Sequence, residues 1–366
     1  MTAVPEIRFP EFTDDWQIKR IGEIATFQRG FDLPAQDREE GSIPIVSSGG
    51  ITGFHNIAKV DGPGIVTGRY GSIGELFYMK EPHWPLNTAL WVKDFHGNSI
   101  DFTFYHLGRV NFKKLSDKTG VPGINRNDLH RLWASTTTLP EQIKIAAFLG
   151  SVDDKLDALR RKHDALKQFK AGLMQKLFSQ ELRFKRDDGS DYPDWEDKRL
   201  GDESTSLDHL RVPLKELDRQ KRDGEYPYYG ASGIIDFVDD YIFDEDIVLL
   251  GEDGANILSR STPLSFLVTG KSWVNNHAHV YRAKGSSYFL AACLENIRYE
   301  KYNTGTVQPK LNGESCKNIP LSIPSLTEQQ KIADFLSAMD AKTDAVSNQI
   351  KLMEDFKKGL LQKMFV

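Results

Sequence analysis

Sliding the chain by 187 residues superimposes two long segments without a gap, so whatever the first segment folds into the second must fold into again. Leu139, Glu141, Gln142, Lys144, Ile145, Ala146, Phe148 and Leu149 recur as Leu326, Glu328, Gln329, Lys331, Ile332, Ala333, Phe335 and Leu336. Asp153, Lys155, Asp157 and Ala158 recur as Asp340, Lys342, Asp344 and Ala345. Phe169, Lys170, Gly172, Leu173, Gln175, Lys176 and Phe178 recur as Phe356, Lys357, Gly359, Leu360, Gln362, Lys363 and Phe365. Together these are 19 identities over the 40 positions from Leu139 to Phe178. Neither copy has a proline after its first turn. Thr138 and Ser325 each stand three residues before a glutamate, the capping box that satisfies free N–H groups at a helix start. Apolar residues then step by three and four through Ile145, Leu149, Val152, Leu156, Leu159, Leu166, Phe169, Leu173 and Leu177, with His163 on the seam. The second stripe runs through Ile332, Leu336, Met339, Thr343, Val346, Ile350, Met353, Phe356, Leu360 and Met364. Each helix is expected to run about 38 residues, or about 57 Å. A rod of that length needs a partner for its stripe, and its own copy is the natural one, which predicts an intramolecular two-helix coiled coil.

The segments before each rod correspond more loosely. Trp16, Lys19, Arg20 and Gly22 match Trp195, Lys198, Arg199 and Gly201, and Pro44, Gly50, Ile51 and Phe54 match Pro227, Gly233, Ile234 and Phe237. Ile65, Val66, Gly68 and Gly71 match Ile247, Val248, Gly251 and Gly254, while Trp84, Asn87 and Ala89 match Trp273, Asn276 and Ala278. Short β-rich runs broken by Gly, Asn and Asp turns fill both. The expected fold class is therefore α+β: two similar α/β domains alternating with two long antiparallel helices, with pseudo-two-fold symmetry. The boundaries fall at 1–138 and 182–324 for the domains, and at 139–181 and 325–366 for the rods. Leu182 Arg183 Phe184 leading to Trp195 resembles Ile7 Arg8 Phe9 leading to Trp16, so the layout is circular and the termini are expected to be neighbours.

Composition narrows the class. Of 366 residues, 39% are hydrophobic and 27% charged, as in a folded domain protein, and no apolar run approaches the roughly 18 residues of a spanning helix. Only Cys293 and Cys316 are present, which rules out a disulfide scaffold and suits a reducing cytoplasm. The net charge of -5 hides a partition: -1 over residues 1–139, +5 over 140–186, -9 over 187–325 and 0 over 326–366. The basic stretch holds Arg160, Arg161, Lys162, Lys167, Lys170, Lys176, Arg183, Lys185 and Arg186. It reads either as a solvated helix face or as a phosphate-facing one.

Two variable domains, each followed by a helix that opens Leu-x-Glu-Gln-x-Lys-Ile-Ala and closes Phe-Lys-x-Gly-Leu-x-Gln-Lys-x-Phe, make an arrangement that resembles the specificity subunit of type I restriction-modification systems. The resemblance covers essentially the whole chain. It implies a non-catalytic DNA reader in which each domain reads one half of an asymmetric, bipartite double-stranded target while the helices fix the gap. It also implies that the helices dock two adenine methyltransferase subunits, joined by restriction and translocase subunits for cleavage. The docking residues implied are Glu141, Gln142, Lys144, Gly172, Gln175 and Lys176 in the first rod, and Glu328, Gln329, Lys331, Gly359, Gln362 and Lys363 in the second. Close helix packing is the alternative reason for Gly172 and Gly359, each of which costs a helix about 1 kcal/mol relative to alanine. The competing function is a symmetric coiled-coil scaffold that assembles proteins without reading DNA.

Direct readout requires hydrogen-bonding side chains on loops that can enter a groove. In the first domain Arg69, Tyr70 and Ser72 follow an apolar strand, and Asn87, Lys113, Lys114, Lys118, Thr119, Asn125 and Arg126 follow later. In the second, Glu252 and Asn256 replace the arginine loop with an acidic one, which suits cytosine amino donors better than guanine acceptors. Asn275, Asn276 and His277, then Tyr302, Asn303, Thr304, Thr306, Gln308, Lys310 and Asn312, complete the set. No cofactor is expected. Gly270 Lys271 Ser272 lacks the earlier glycine of a phosphate loop, and His277 with His279 lacks a third metal ligand nearby. The chain has no Pro-Pro and hence no Asn/Asp-Pro-Pro-Tyr/Phe methyltransferase signature, so catalysis is expected from partners.

Overall fold

The computed structural model describes residues 4–115 and 123–366. The chain divides into two units, one formed by Met1–Arg160 with Asn348–Val366 and the other by Arg161–Ser347. Four helices of eight residues or more carry the argument: α1 (Ile100–Leu107), α2 (Leu139–Phe178), α3 (Ser287–Glu295) and α4 (Leu326–Lys363). Helices α2 and α4 have 40 and 38 residues, as the repeat predicts. At 1.5 Å per residue they are roughly 60 and 57 Å long. None of the helices is long and apolar enough to cross a membrane among the described residues.

In the first unit β1 (Gln17–Arg20), β2 (Thr26–Arg29), β3 (Ile43–Ser47), β4 (Gly50–His55), β5 (Gly64–Gly68), β6 (Leu76–Met79), β7 (Trp84–Pro85), β8 (Ala89–Asp94) and β9 (Trp133–Thr136) form three small sheets. Their orders are β1-β9, β2-β8-β5-β6 and β4-β3-β7. Strand β5 is buried along its whole length between β6 and β8, so it does not alternate apolar and polar residues, and its one hydroxyl, on Thr67, donates to the Glu75 carbonyl at 2.7 Å. Phe27, Ile65, Leu90, Leu107 and Leu129 close one core under it. A second core joins Ile145, Leu149, Val152 and Leu156 of α2 to Leu360 and Met364 of α4. Asp153 pairs with Lys357 at 2.5 Å and Arg160 with Glu354 at 2.7 Å, so the two helices run antiparallel in this unit.

The second unit repeats the plan. Strands β10 (Glu196–Arg199), β11 (Ser204–Ser206), β12 (Tyr226–Gly230), β13 (Gly233–Val238), β14 (Phe243–Asp244), β15 (Ile247–Gly251), β16 (Ser265–Val268), β17 (Lys271–Val274), β18 (Ala278–Ala283) and β19 (Pro320–Ile323) form sheets β10-β19, β11-β18-β15-β16 and β13-β12-β17-β14. The parallel β3–β7 pair of the first unit returns as β12–β17, and the bulged β3–β4 hairpin as β12–β13. Lys170 pairs with Asp340 at 2.5 Å, the exact repeat of Lys357 with Asp153. Leu177, Ile332 and Leu336 share the core with Leu200, Phe289 and Leu321.

The circular layout has a direct trace. Leu182 N–H donates to the Lys176 carbonyl at 3.1 Å where the chain leaves α2, and Ile7 N–H donates to the Lys363 carbonyl at 3.0 Å at the end of α4. The segment at Ile7 thus takes, without a covalent link, the place that Leu182 takes by continuing the chain.

Two expectations about the rods are corrected. Phe169 and Phe356, assigned to the buried stripes, are 57% and 51% exposed. Lys170 turns inward instead, to Asp340 and the Tyr288 hydroxyl, because the buried face past Leu166 steps through 170, 173 and 177 and leaves 169 about 100° away. Close packing is not what the rod glycines serve within their units, for a Cβ added at Gly172 or Gly359 meets nothing within 4 Å.

Candidate nucleic-acid interface

In the first unit three loops are tied together by their backbones. Arg69 N–H donates to the Thr88 carbonyl at 2.9 Å, and Ile124 N–H donates to the Arg69 carbonyl at 2.9 Å. Tyr70 bridges Gly123 beside them. Gly68 brings in a fourth element: a Cβ there would lie 1.7 Å from the Ser72 carbonyl oxygen and 2.9 Å from that of Ser48, so only glycine lets the β3–β4 tip meet the 68–72 loop. The loops enclose a cleft of 590 Å³ lined by Arg29, Arg69, Tyr70, Asn125, Arg126 and Asp128. The Arg69 guanidinium stacks 4.5 Å above the Tyr70 ring and reaches the Asn87 carbonyl at 3.4 Å. Asn125 caps the helix Arg126–Arg131 by accepting the Asn127 N–H at 2.9 Å. Asp128 is paired with Arg131, which leaves the cleft cationic. Ser72 and Lys114 are exposed at its surroundings, and Asn87 is bonded to Asp32. The Lys113 side chain, Lys118 and Thr119 lie outside the described residues.

The same knot recurs in the second unit on different side chains. Glu252 N–H donates to the His277 carbonyl at 2.8 Å, and Leu311 N–H donates to the Glu252 carbonyl at 2.7 Å. Asp253 bridges Lys310, and Asn312 caps Gly313–Lys317 as Asn125 caps its helix. Glu252 is not an open acceptor: its carboxylate takes Arg211 Nη1 at 2.6 Å and Lys310 Nζ at 3.2 Å. Burial works against its charge, but these cations hold it below the usual carboxylate range. The contrast with Arg69 therefore lies between an open cation and an acid already paired with Arg211 and Lys310, which braces its loop.

Behind the loops His279, 2% exposed, has Nδ1 at 2.7 Å from Asp208 and Nε2 at 3.0 Å from the Leu311 carbonyl. Both ring nitrogens face acceptors, so the ring holds two protons. Burial opposes that charge, yet the Asp208 hydrogen bond and the neighbouring Cys316 and Asp208 raise the pKa to about 10. His277 bonds Asp253 at 2.9 Å, so the two histidines serve separate carboxylates. Asn275 is buried and accepts the His277 N–H at 2.8 Å, whereas Asn276 is exposed. Asn256 holds Thr262 through both its amide groups. Asn303 accepts from Gly305 and Lys310, closing a loop whose Thr304, Thr306 and Gln308 are exposed, with Tyr302 half-buried at its start.

Arg29, Asp128, Asp208, Arg211, His279 and the two hairpin tips were outside the sequence-derived set. The tips carried a signal: Gly50 and Gly233 match in the repeat, and both adopt positive φ, +99° and +127°.

The helix-opening motif is explained within each unit. Glu141, 1% exposed, takes Arg8 Nε at 2.7 Å and Nη2 at 2.8 Å, and Glu328, 0% exposed, takes Arg183 Nη2 at 2.9 Å. Gln142 accepts the Ser99 N–H at the start of α1, as Gln329 accepts that of Ser286 at the start of α3. Lys144 pairs with Glu11 and Lys331 with Asp187. These side chains clamp the incoming segment and the domain onto the rod, and Glu141, Gln142, Glu328 and Gln329 are buried in those internal contacts. Gln175, Lys176, Gln362 and Lys363 remain exposed. Of the basic stretch, Arg160, Lys170, Lys176, Arg183 and Lys185 each pair with a carboxylate of their own unit.

The model of the type I restriction modification DNA specificity domain matches the chain twice, over residues 13–168 and 192–353. The putative type I restriction enzyme specificity subunit S.HindORF215P of Haemophilus influenzae is 34% identical over 148 residues, which are 40% of this chain and only 37% of that protein. The MjaVIII specificity subunit of Methanocaldococcus jannaschii is 24% identical over 420 residues, 97% of this chain and 92% of the relative. Among solved structures, the type I restriction-modification S subunit of M. genitalium shares the fold, with a TM-score of 0.69 at 18% identity over 100% of this chain and 99% of that one. Matched in both halves, and built as two copies of one plan, the chain belongs to the type I restriction modification DNA specificity family.

Proposed function

We propose that the chain is the non-catalytic DNA-specificity subunit of a type I restriction-modification complex, each unit reading one half of an asymmetric bipartite target. The observation that carries this reading is the loop knot built twice on one backbone plan with unlike side chains, Arg69 and Tyr70 in one and Glu252 and Asp253 in the other. Two readers with different loops have no shared palindrome, so the target is split and its halves differ. The first cleft offers Arg29, Arg69 and Arg126, and arginine is the residue that pairs with guanine O6 and N7. The scaffold reading leaves that cationic cleft without a role.

Helices α2 and α4 set the interval between the readers. Half-sites on one face of DNA recur about every 34 to 36 Å, a distance within the length of either rod. The partners are two adenine methyltransferase subunits, with restriction and translocase subunits joining them for cleavage. Their docking surface is the face that carries Phe169, Gly172, Gln175 and Lys176, with its copy Phe356, Gly359, Gln362 and Lys363, all exposed but the half-buried Gly359. Sequencing of adenine methylation in cells with and without this gene tests the reading. A split motif that is methylated only when the gene is present is expected; an unchanged methylome would refute it.

A further inference from the structure

We propose that Ile234 and Ile235, at the tip of the β12–β13 hairpin, are specificity-determining residues that read thymine through its 5-methyl group. The inference rests on the DNA-specificity reading above. Both side chains are 52% exposed, although each is a large aliphatic group beside polar loops. They line a hollow of 440 Å³ together with Asp253, Asn275 and His277, the loops that carry the repeated knot. The tip is held there by close backbone approach, since a Cβ on Gly251 would lie 2.8 Å from the Ala231 carbonyl oxygen.

The carboxylates around this hollow already have partners. Asp253 is bonded to His277 Nδ1 at 2.9 Å, and Glu252 holds Arg211 and Lys310. What the tip itself presents outward is hydrocarbon. Of the four base edges in the major groove only thymine offers a methyl group, and apolar side chains are its usual partners. The neighbouring 303–310 loop, tied to Asp253 at Lys310, projects a further aliphatic residue, Val307, at 99% exposure. The first unit keeps half of this arrangement: Ile51, 57% exposed, stands where Ile234 stands, but Thr52 replaces Ile235 and the cleft beside it is lined by arginines. The paired isoleucines, unique to the second unit at the Ile235 position, thus make methyl contact the dominant chemistry there, whereas arginine hydrogen bonds dominate in the first.

The test uses the full chain, together with any methyltransferase subunits that co-purify with it, on its target duplex defined by selection from a random library. Each thymine of each half-site is replaced singly by deoxyuridine, which removes only the methyl group. One or two replacements confined to a single half-site are expected to weaken binding about fourfold each, the worth of one buried methyl. Ile235→Thr, which installs the first unit's own residue, and Ile234→Ala are expected to abolish that penalty while binding to the other half-site is unchanged. Deoxyuridine replacements without effect, an affected half-site whose penalty survives both substitutions, or a target with no thymine in either half would overturn the inference and leave DNA reading intact. Failure of the library to enrich any sequence would instead remove the reading on which it rests.

Discussion

Arg69 opens onto a cleft, whereas Glu252, at the same place in the repeated knot, is closed over by Arg211 and Lys310. One side chain lines an open cleft and the other holds its loop. His279 belongs with the second kind. It lies between Asp208 and the Leu311 carbonyl, with Glu252 at 3.8 Å and Cys316 adjacent, so it anchors the loop that Glu252 also anchors. Its pKa is raised to about 10 in the folded chain against about 6.5 when unfolded. Between those values the folded state holds a proton that the unfolded state has lost, so the stabilisation is complete below about pH 6.5 and is lost as pH rises toward 10. Comparing denaturation of the native protein with His279→Gln, the stability difference should shrink across that window by at most about 1.4 kcal/mol per pH unit. A difference that stays constant with pH would show that the ring is neutral.

The elements are joined by a brace that occurs once in each unit. Tyr105 of α1 donates to Asp153 of α2 at 2.8 Å, and Asp153 also holds Lys357 of α4. Tyr288 of α3 donates to Asp340 of α4, which holds Lys170 of α2. Each brace fixes a domain to both rods at one point, using a tyrosine that burial and the carboxylate keep protonated far above neutral pH. Gly172 and Gly359 do not take part in this packing. Gly172→Ala and Gly359→Ala should each stabilise the isolated chain by about 1 kcal/mol, the helix-propensity gain, because nothing within 4 Å meets the new methyl. If the exposed stripe docks a partner closely, the same substitutions weaken co-purification of the methyltransferase subunits. Thermal unfolding and pull-down separate the two effects, and a destabilised chain would reinstate intrachain packing as the reason for glycine.

At the scale of the molecule, two rods of 40 and 38 residues run through both units, so their length should enter the target as a distance. Adding four residues after Leu159 and four at the matching Val346 lengthens each rod by about 6 Å, between one and two base pairs at about 3.4 Å each. The unspecified spacer of the methylated motif should grow by that amount. An unchanged spacer would dismiss the rods as its ruler.

The duplication, the rods, the apolar cores at Leu149 and Leu336 and the family were all legible in the residues, because periodicity and repetition are properties of neighbouring positions. The candidate loops were legible as polar turns after apolar strands, and so were the matched glycines. Which of those side chains are free was not. The partners that decide it are far off in the chain: Arg8 lies 133 residues from Glu141, and Arg211 lies 41 from Glu252. A helical pattern also could not say that Lys170 turns in and Phe169 turns out, since the buried face there is chosen by Asp340 and Tyr288. Local chemistry determined what the elements are; long-range pairing of buried charges, which only the folded chain brings within 3 Å, decided which groups are left to meet DNA.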